Sequence, residues 1–272
     1  MFLSSKKINS SEDFSVHLRG LSLQMVNAAN SSHIGGVLSM ADVISVLYHS
    51  VLNVDKNNYE HPDRDRFILS KGHCCAGIYA ALMIKGILSR EQLKTYGKND
   101  SSLMAHISHK VPGVEFSTGA LGHGLPFGVG KALFSKMHKC DWKTFVMLSD
   151  GEMDEGSNWE ALLFASHHKL ENLTCIVDFN NLQSLDTIEK TLNLEPLDKK
   201  LESFGFDVIL IDGHDHNQIL QAFNKKSAGK PKIIIAKTVK GKGVDYMENE
   251  VLWHYKPPND EELRNALKQI GY

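Results

Sequence analysis

Residues 144–181 read TFVMLSDGEMDEGSNWEALLFASHHKLENLTCIVDFNN, and this stretch decides the fold. Its two hydrophobic runs, TFVML and LTCIVDF, are short and β-branched enough to be buried parallel strands. Between them Trp159, Leu162, Leu163 and Leu170 recur at helical spacing, so the whole reads as a βαβ unit. Ser157 with Glu160 has the S-x-x-E form of a capping box and predicts a helix start near Gly156. The first strand ends at Ser149-Asp150-Gly151 and the second at Asp178-Phe179-Asn180-Asn181. Oxygen-bearing side chains thus stand at the carboxyl ends of two strands of one sheet, the edge where open α/β sheets bind ligands. Asp150 and Asn180 are the hard oxygen donors that magnesium takes, usually with water and phosphate oxygens completing its shell. An EF-hand is excluded, because Gly156 comes one place late and Ala161 stands where the closing Glu belongs. On residue types alone, the cluster Asp150, Glu152, Asp154 and Glu155 also reads as a solvated loop or as charges at a helix N-terminus.

Outward from this unit the alternation continues. Arg66–Ser70, Asp207–Gly213 and Lys232–Thr238 read as further buried strands. Helical spacing marks about Glu12 to Asn30, Ser39 to His49, a segment with Ala76, Ile78, Tyr79 and Leu82, Asp215 to Lys225, and Asp260 to Ile270. The expected fold is α/β, one parallel sheet covered by helices on both faces, in a single domain over 1–272 without repeat or linker. A net charge of −2 with interspersed signs argues against nucleic acid or a membrane surface as the main partner. No hydrophobic run approaches the roughly twenty residues of a membrane span, and MFLSSKKINSSED lacks a leader core, so a cytoplasmic protein is expected. Cys74 and Cys75 are adjacent while Cys140 and Cys175 are isolated, which offers neither a disulfide framework nor a C-x-x-C zinc site. Cys175 reads as packing, and Cys74 and Cys75, opening a helix, leave a reactive thiol open.

Histidines recur where elements end. His33 lies in Asn30-Ser31-Ser32-His33-Ile34-Gly35-Gly36 after the first helix, and His73 in Lys71-Gly72-His73 after the strand Arg66–Ser70. The segment AHISHKVPGVEFSTGALGHGLPFGVGKAL, residues 105–133, is glycine-rich, but Gly122, Gly124 and Gly128 are spaced G-x-G-x-x-x-G with no strand leading in, a weak dinucleotide signal. Taken alone, Lys240 in KGKGVDYMENEVLWHYKPPND is a solvated cation in a polar loop.

In register, DGE-x-x-EG-x-x-WEA…NL-x-x-IVD-x-N-x-LQ, LSKGH, PGVEFSTGALGHG and KGKG…WH resemble the thiamine diphosphate-binding part of the transketolase family, over about residues 10–260. The resemblance implies thiamine diphosphate and Mg2+, or another divalent cation such as Ca2+, with Asp150, Asn180 and the Leu182 carbonyl as metal ligands. It places His73, Gly119, Leu121, Gly151, Lys240 and His254 on the cofactor, and His33, His106 and His254 in proton transfer during two-carbon ketol transfer. Glycine at 119 would let the backbone approach phosphate. Glu155 and Glu160 would sit near a dimer interface and link two cofactors. His109 is the alternative to His106, whose neighbours Ala105 and Ile107 depart from the family. Ser149 replaces a usual Gly, for which a changed turn is expected, and Ile34 replaces a usual Pro. The pyrimidine-binding and C-terminal domains of a transketolase are not in the chain. It is therefore expected to be the N-terminal subunit of a split enzyme, forming a heterotetramer with a C-terminal partner subunit and acting on sugars or sugar phosphates. Within the same cofactor class, a subunit of 1-deoxyxylulose-phosphate synthase-like or ketoacid dehydrogenase-like type is the alternative, and a non-catalytic regulatory relic is the third reading.

Overall fold

A computed structural model describes residues 7–272; residues 1–6, part of the stretch read as lacking a leader core, lie outside the described residues. The apolar runs form β1 (Arg66–Leu69), β2 (Thr144–Ser149), β3 (Leu173–Phe179), β4 (Asp207–Asp212) and β5 (Lys232–Lys237). All pair in parallel, in the order β1-β2-β3-β5-β4. The helices are α1 (Ser11–Ala29), α2 (Ile34–Val46), α3 (Cys75–Ile84), α4 (Arg90–Leu93), α5 (Gly124–Met137), α6 (Gly156–His167), α7 (Ile188–Thr191), α8 (Leu197–Ser203), α9 (His216–Asn224) and α10 (Asp260–Gln269).

Alternation along the strands separates two cores. Phe67, Phe145, Met147, Ile176 and Ile234 point to one face, where α1, α2, α3, α9 and α10 contribute Leu18, Leu38, Ile78, Ile219 and Leu263. Ile68, Val146, Cys175, Val177 and Ile233 point to the other, against Val129 of α5, Leu162 of α6 and Leu201 of α8. The sheet is therefore covered on both faces, as expected for parallel strands. Ser10 caps α1 by accepting the Asp13 N–H at 3.2 Å, and the helix stops at Asn30 in the left-handed region, φ 48°.

Three expectations are corrected and one open alternative is closed. The second helix starts at Ile34 rather than Ser39 and runs through a π turn to Val51, so an apolar helix of 18 residues does exist; 83% of it is buried, which marks it as the core helix between α1 and α3. The strand Asp207–Asp212 is only partly buried: it pairs with β5 alone at one edge of the sheet, and while Ile211 is buried, Leu210 is 48% exposed. Ser157 caps nothing: Glu155 is the N-cap residue of α6, without a side-chain cap, and the Ser157 hydroxyl donates to the Gly122 carbonyl at 2.7 Å. A reactive thiol is excluded, since Cys74 and Cys75 are wholly buried and burial pushes them up to about 11 and about 12.

The centre and the edge of the sheet should answer differently to substitution. Ile176→Ala, in central β3, is expected to cost about 2–5 kcal/mol, whereas Leu210→Lys on β4 should stay within about 0.5 kcal/mol. Urea unfolding of both variants measures this, and equal losses would contradict the assigned strand order.

Candidate active site

Four strands deliver their carboxyl ends to one cavity of about 200 Å³. β1 runs into Ser70-Lys71-Gly72-His73, β2 into Asp150, β3 into Asn180, and β5 into Thr238-Val239-Lys240. The N-terminus of α2 brings His33 from above, and the turn before α10 brings His254.

Asp150 is 2% exposed and tied down by backbone alone: its carboxylate accepts the N–H of Gly151 at 2.8 Å, Asn180 at 2.9 Å and Asn181 at 2.7 Å. Burial and then the neighbouring Asp178 push it up to about 6. A group in that position gains from a cation beside it. The Asn180 side-chain oxygen accepts the Leu182 N–H at 3.1 Å, and the Leu182 carbonyl accepts from the Lys240 ammonium at 2.9 Å. Lys240 also donates to the Gln183 carbonyl at 3.0 Å, and burial lowers its pKa. These oxygens, with Gly36, Gly119, Leu121 and Gly151, line the cavity. Among the described residues no group of three or more His, Cys, Asp or Glu is arranged around a metal, so a cation here would depend on one carboxylate, an amide and a carbonyl.

The imidazoles pack as a ring around the mouth. His33 lies 5.1 Å from His73, 5.6 Å from His106 and 5.0 Å from His254 between ring centroids, and His73 lies 5.7 Å from His254. His33 adopts φ 75°, and its N–H donates to the His254 carbonyl at 2.8 Å. Burial, then His106 and Lys240, lowers His33 to about 4; burial, then Lys240, lowers His254 to about 3; burial and Lys71 hold His73 well below the usual range. His33, His73 and His254 are thus neutral rings at pH 7, able to accept or donate a proton according to tautomer.

Beneath them lies a pair that the sequence did not announce. Lys71 and Asp178, each 1% exposed at the side chain, meet at 2.5 Å, and Asp178 also accepts from Ser39 and Thr238 hydroxyls at 2.5 Å.

The model of the family described as "Transketolase, thiamine diphosphate binding domain" matches residues 11–272. The chain belongs to the transketolase family. It is 40% identical over 251 residues to a subunit of the apulose-4-phosphate transketolase of Phocaeicola vulgatus, covering 92% of this chain and 89% of that one. It is 35% identical over 257 residues to a 6-deoxy-6-sulfo-D-fructose transketolase subunit of Clostridium sp., covering 93% of each. The crystal structure of Campylobacter jejuni transketolase superposes with a TM-score of 0.93 at 34% identity, over 98% of this chain and 43% of that longer one. The chain is thus the thiamine diphosphate-binding part of a transketolase, and its class is transferase.

As a transketolase domain it absorbs its departures locally. Ser149 stays within β2, accepts the Glu152 N–H at 3.2 Å and donates its own N–H to the Glu152 carboxylate at 3.4 Å, so the turn is retied rather than lost. Glu152, wholly buried, accepts from the Ser70 hydroxyl at 2.5 Å and from the Gly122 N–H at 3.0 Å, linking the glycine-rich segment to β1 and β2. Ile34 sits at the first helical position of α2, a position that also accepts Pro. His106 lines the cavity; His109 is exposed and bonds Ser117 at 2.7 Å. Glu155 and Glu160 are not brought to the histidines and stand exposed near the start of α6. The structural roles of Lys71, Asp178, Ser39, Thr238 and Glu152 were not read from the sequence. The one available signal was a lysine inside LSKGH, directly after a buried strand.

The depressed imidazoles carry a sign. Between about 6.5 and about 4 the unfolded chain holds a proton on His33 that the folded chain refuses, so this residue costs stability as pH falls through that window. His33→Asn, which tolerates the left-handed backbone, removes that penalty. Stability of the variant relative to wild type, from urea midpoints on the cofactor-free chain, should rise from pH 7 to pH about 4.5. A difference that stays flat with pH would refute the assignment.

Proposed function

We propose that the chain is the cofactor-binding subunit of a split transketolase. Paired with a C-terminal subunit that holds the pyrimidine end of the cofactor, it transfers a two-carbon ketol unit from a ketose or ketose phosphate to an aldose. The observation that carries this reading is the convergence in one cavity of the Asp150, Asn180 and Leu182 oxygens, two lysine ammonium groups and four imidazoles. The subunit-sized relatives, named for apulose-4-phosphate and for 6-deoxy-6-sulfo-D-fructose, support both the two-chain arrangement and an anionic sugar as substrate.

In this reading Asp150, Asn180 and the Leu182 carbonyl hold Mg2+, or Ca2+ in its place, because the donors are hard oxygens and the buried carboxylate gains a counter-charge. Lys240, His73 and His254, with the backbone at Gly119 and Gly151, would hold the diphosphate, and Leu121 would touch the aminopyrimidine ring. When bound, thiamine diphosphate supplies the carbon nucleophile and electron sink for breaking and forming the C–C bond. The chain's own task is positioning and proton transfer: neutral His33 and His254, with His106 beside them, exchange protons with substrate hydroxyl and carbonyl oxygens.

Two apolar surfaces support an assembly. Leu185, Leu252 and Tyr255 are exposed beside the cavity-lining Ser184 and His254 and suit a partner subunit. Phe134 and Met137 of α5 with Leu163 and Phe164 of α6 form a second exposed apolar face, beside Glu155 and Glu160, and suit a second copy of this chain, giving a heterotetramer. A cytoplasmic location accords with four free cysteines.

Calorimetric titration of thiamine diphosphate and Mg2+ into the chain, alone and with a C-terminal transketolase subunit, tests the reading. Saturable binding that tightens with the partner, and disappears in Asp150→Ala or on adding a chelator, is expected. Absence of binding in a mixture whose subunits demonstrably associate would defeat it. Phe134→Glu with Leu163→Glu should reduce the sedimenting mass of the assembly and leave the pairing of the two unlike subunits intact.

A further inference from the structure

One turn along α2 from Ser39, at Asp42, lies a second buried polar cluster. Asp42 accepts both Nη atoms of Arg19, at 2.8 and 2.7 Å, and is met by His214 Nδ1 at 2.7 Å and His216 Nε2 at 3.2 Å. Burial opposes its charge, but Arg19 and the two imidazoles hold the Asp42 carboxyl well below the usual range, so it is an acceptor throughout. The other nitrogen of His214, Nε2, lies 2.9 Å from the Val239 N–H. A backbone N–H can only donate, so Nε2 must be the bare nitrogen and Nδ1 must carry the proton that goes to Asp42. One tautomer satisfies both contacts.

Val239 immediately precedes Lys240. The turn that carries this lysine is held on both sides of it: Thr238 N–H on the Phe179 carbonyl at 3.0 Å, Val239 N–H on His214, and Gly241 N–H on the Gly35 carbonyl at 3.0 Å. His214 is the side-chain anchor among these acceptors. Gly213 allows its approach, since a Cβ there would meet Thr238 Cγ2 at 2.4 Å and the Lys237 carbonyl at 3.0 Å.

We infer that His214, oriented by the Arg19–Asp42 pair, is a positioning residue that aims the Lys240 ammonium into the cofactor cavity. The inference rests on the reading of Lys240 as a diphosphate-binding cation. Its effect on the cofactor should therefore pass through Lys240.

Nitrogen-15 NMR of the labelled chain should find His214 protonated at Nδ1 and bare at Nε2. Amide exchange of Val239 and Gly241 should accelerate in His214→Phe and not in His214→Gln, whose amide oxygen can replace Nε2. In the two-subunit enzyme, His214→Phe should weaken thiamine diphosphate binding about tenfold, the size of one lost polar contact, and His214→Gln should recover most of it. Added to Lys240→Ala, His214→Phe should cost nothing more. His214→Asn, too short to reach Val239, replaces the Phe variant if the latter does not fold. A proton on Nε2, unchanged exchange, or an equal loss of affinity in the Lys240→Ala background would overturn the inference. If wild type itself fails to bind the cofactor, the proposed function falls, and the tautomer and exchange data still decide the link between His214 and the turn.

Discussion

The buried pair of Lys71 and Asp178 is the constraint on which the site depends. Asp178 closes β3, Lys71 follows β1, and the same carboxylate draws in Ser39 of α2 and Thr238 after β5. Four elements are pinned beneath the cavity by one acceptor. Removing either charge would strand the other away from water, at a cost of about 3–5 kcal/mol, so the pair is locked in once formed. It also sets the local electrostatics. The Asp178 charge raises Asp150, while the Lys71 charge helps to keep His73 and His254 neutral. A floor in which both charges are already paired leaves Asp150 and Lys240 as the charges at the cavity surface.

The sheet was legible because parallel strands must bury both faces. TFVML and LTCIVDF can hardly be anything else, and the loops at their carboxyl ends follow from that. His33 and His73 were legible by position, at the ends of elements, whereas His106 and His254 were legible only through the family resemblance. The remainder depended on contacts between distant residues. Lys71 and Asp178 are 107 positions apart, and each looks like a surface charge when read alone. The edge status of β4 could not be seen because DVILID is apolar enough for a central strand, and only the strand order exposes it. The start of α2 at Ile34 was masked by two glycines, which oppose a helix by propensity. Both are buried, and a Cβ on Gly36 would lie 2.8 Å from the Cys74 sulfur, so packing overrides propensity there. The S-x-x-E pattern at Ser157 failed for a related reason, because the hydroxyl finds a tertiary partner in Gly122.

Three histidines held neutral beside two lysines form a consistent electrical design. Burial keeps the rings uncharged and the nearby ammonium groups reinforce this, so with Lys71 paired to Asp178 the unpaired positive charge at the cavity is that of Lys240. The polar cluster at Asp42 lies one turn further along α2 than Ser39 and reaches the turn before Lys240 through His214 and Val239.

The long reach of the floor pair bears on how the chain is made. On the ribosome, β1 has no strand to pair with until β2 emerges, and Lys71 has no counter-ion until Asp178 follows, 107 residues later. At ordinary elongation speeds that interval is roughly 5–20 s. Through it, the helical hairpin of α1 and α2 and the following α3 can assemble locally, but their sheet-facing apolar sides stay uncovered. The nascent N-terminal third is therefore the part of the molecule most in need of shelter during translation.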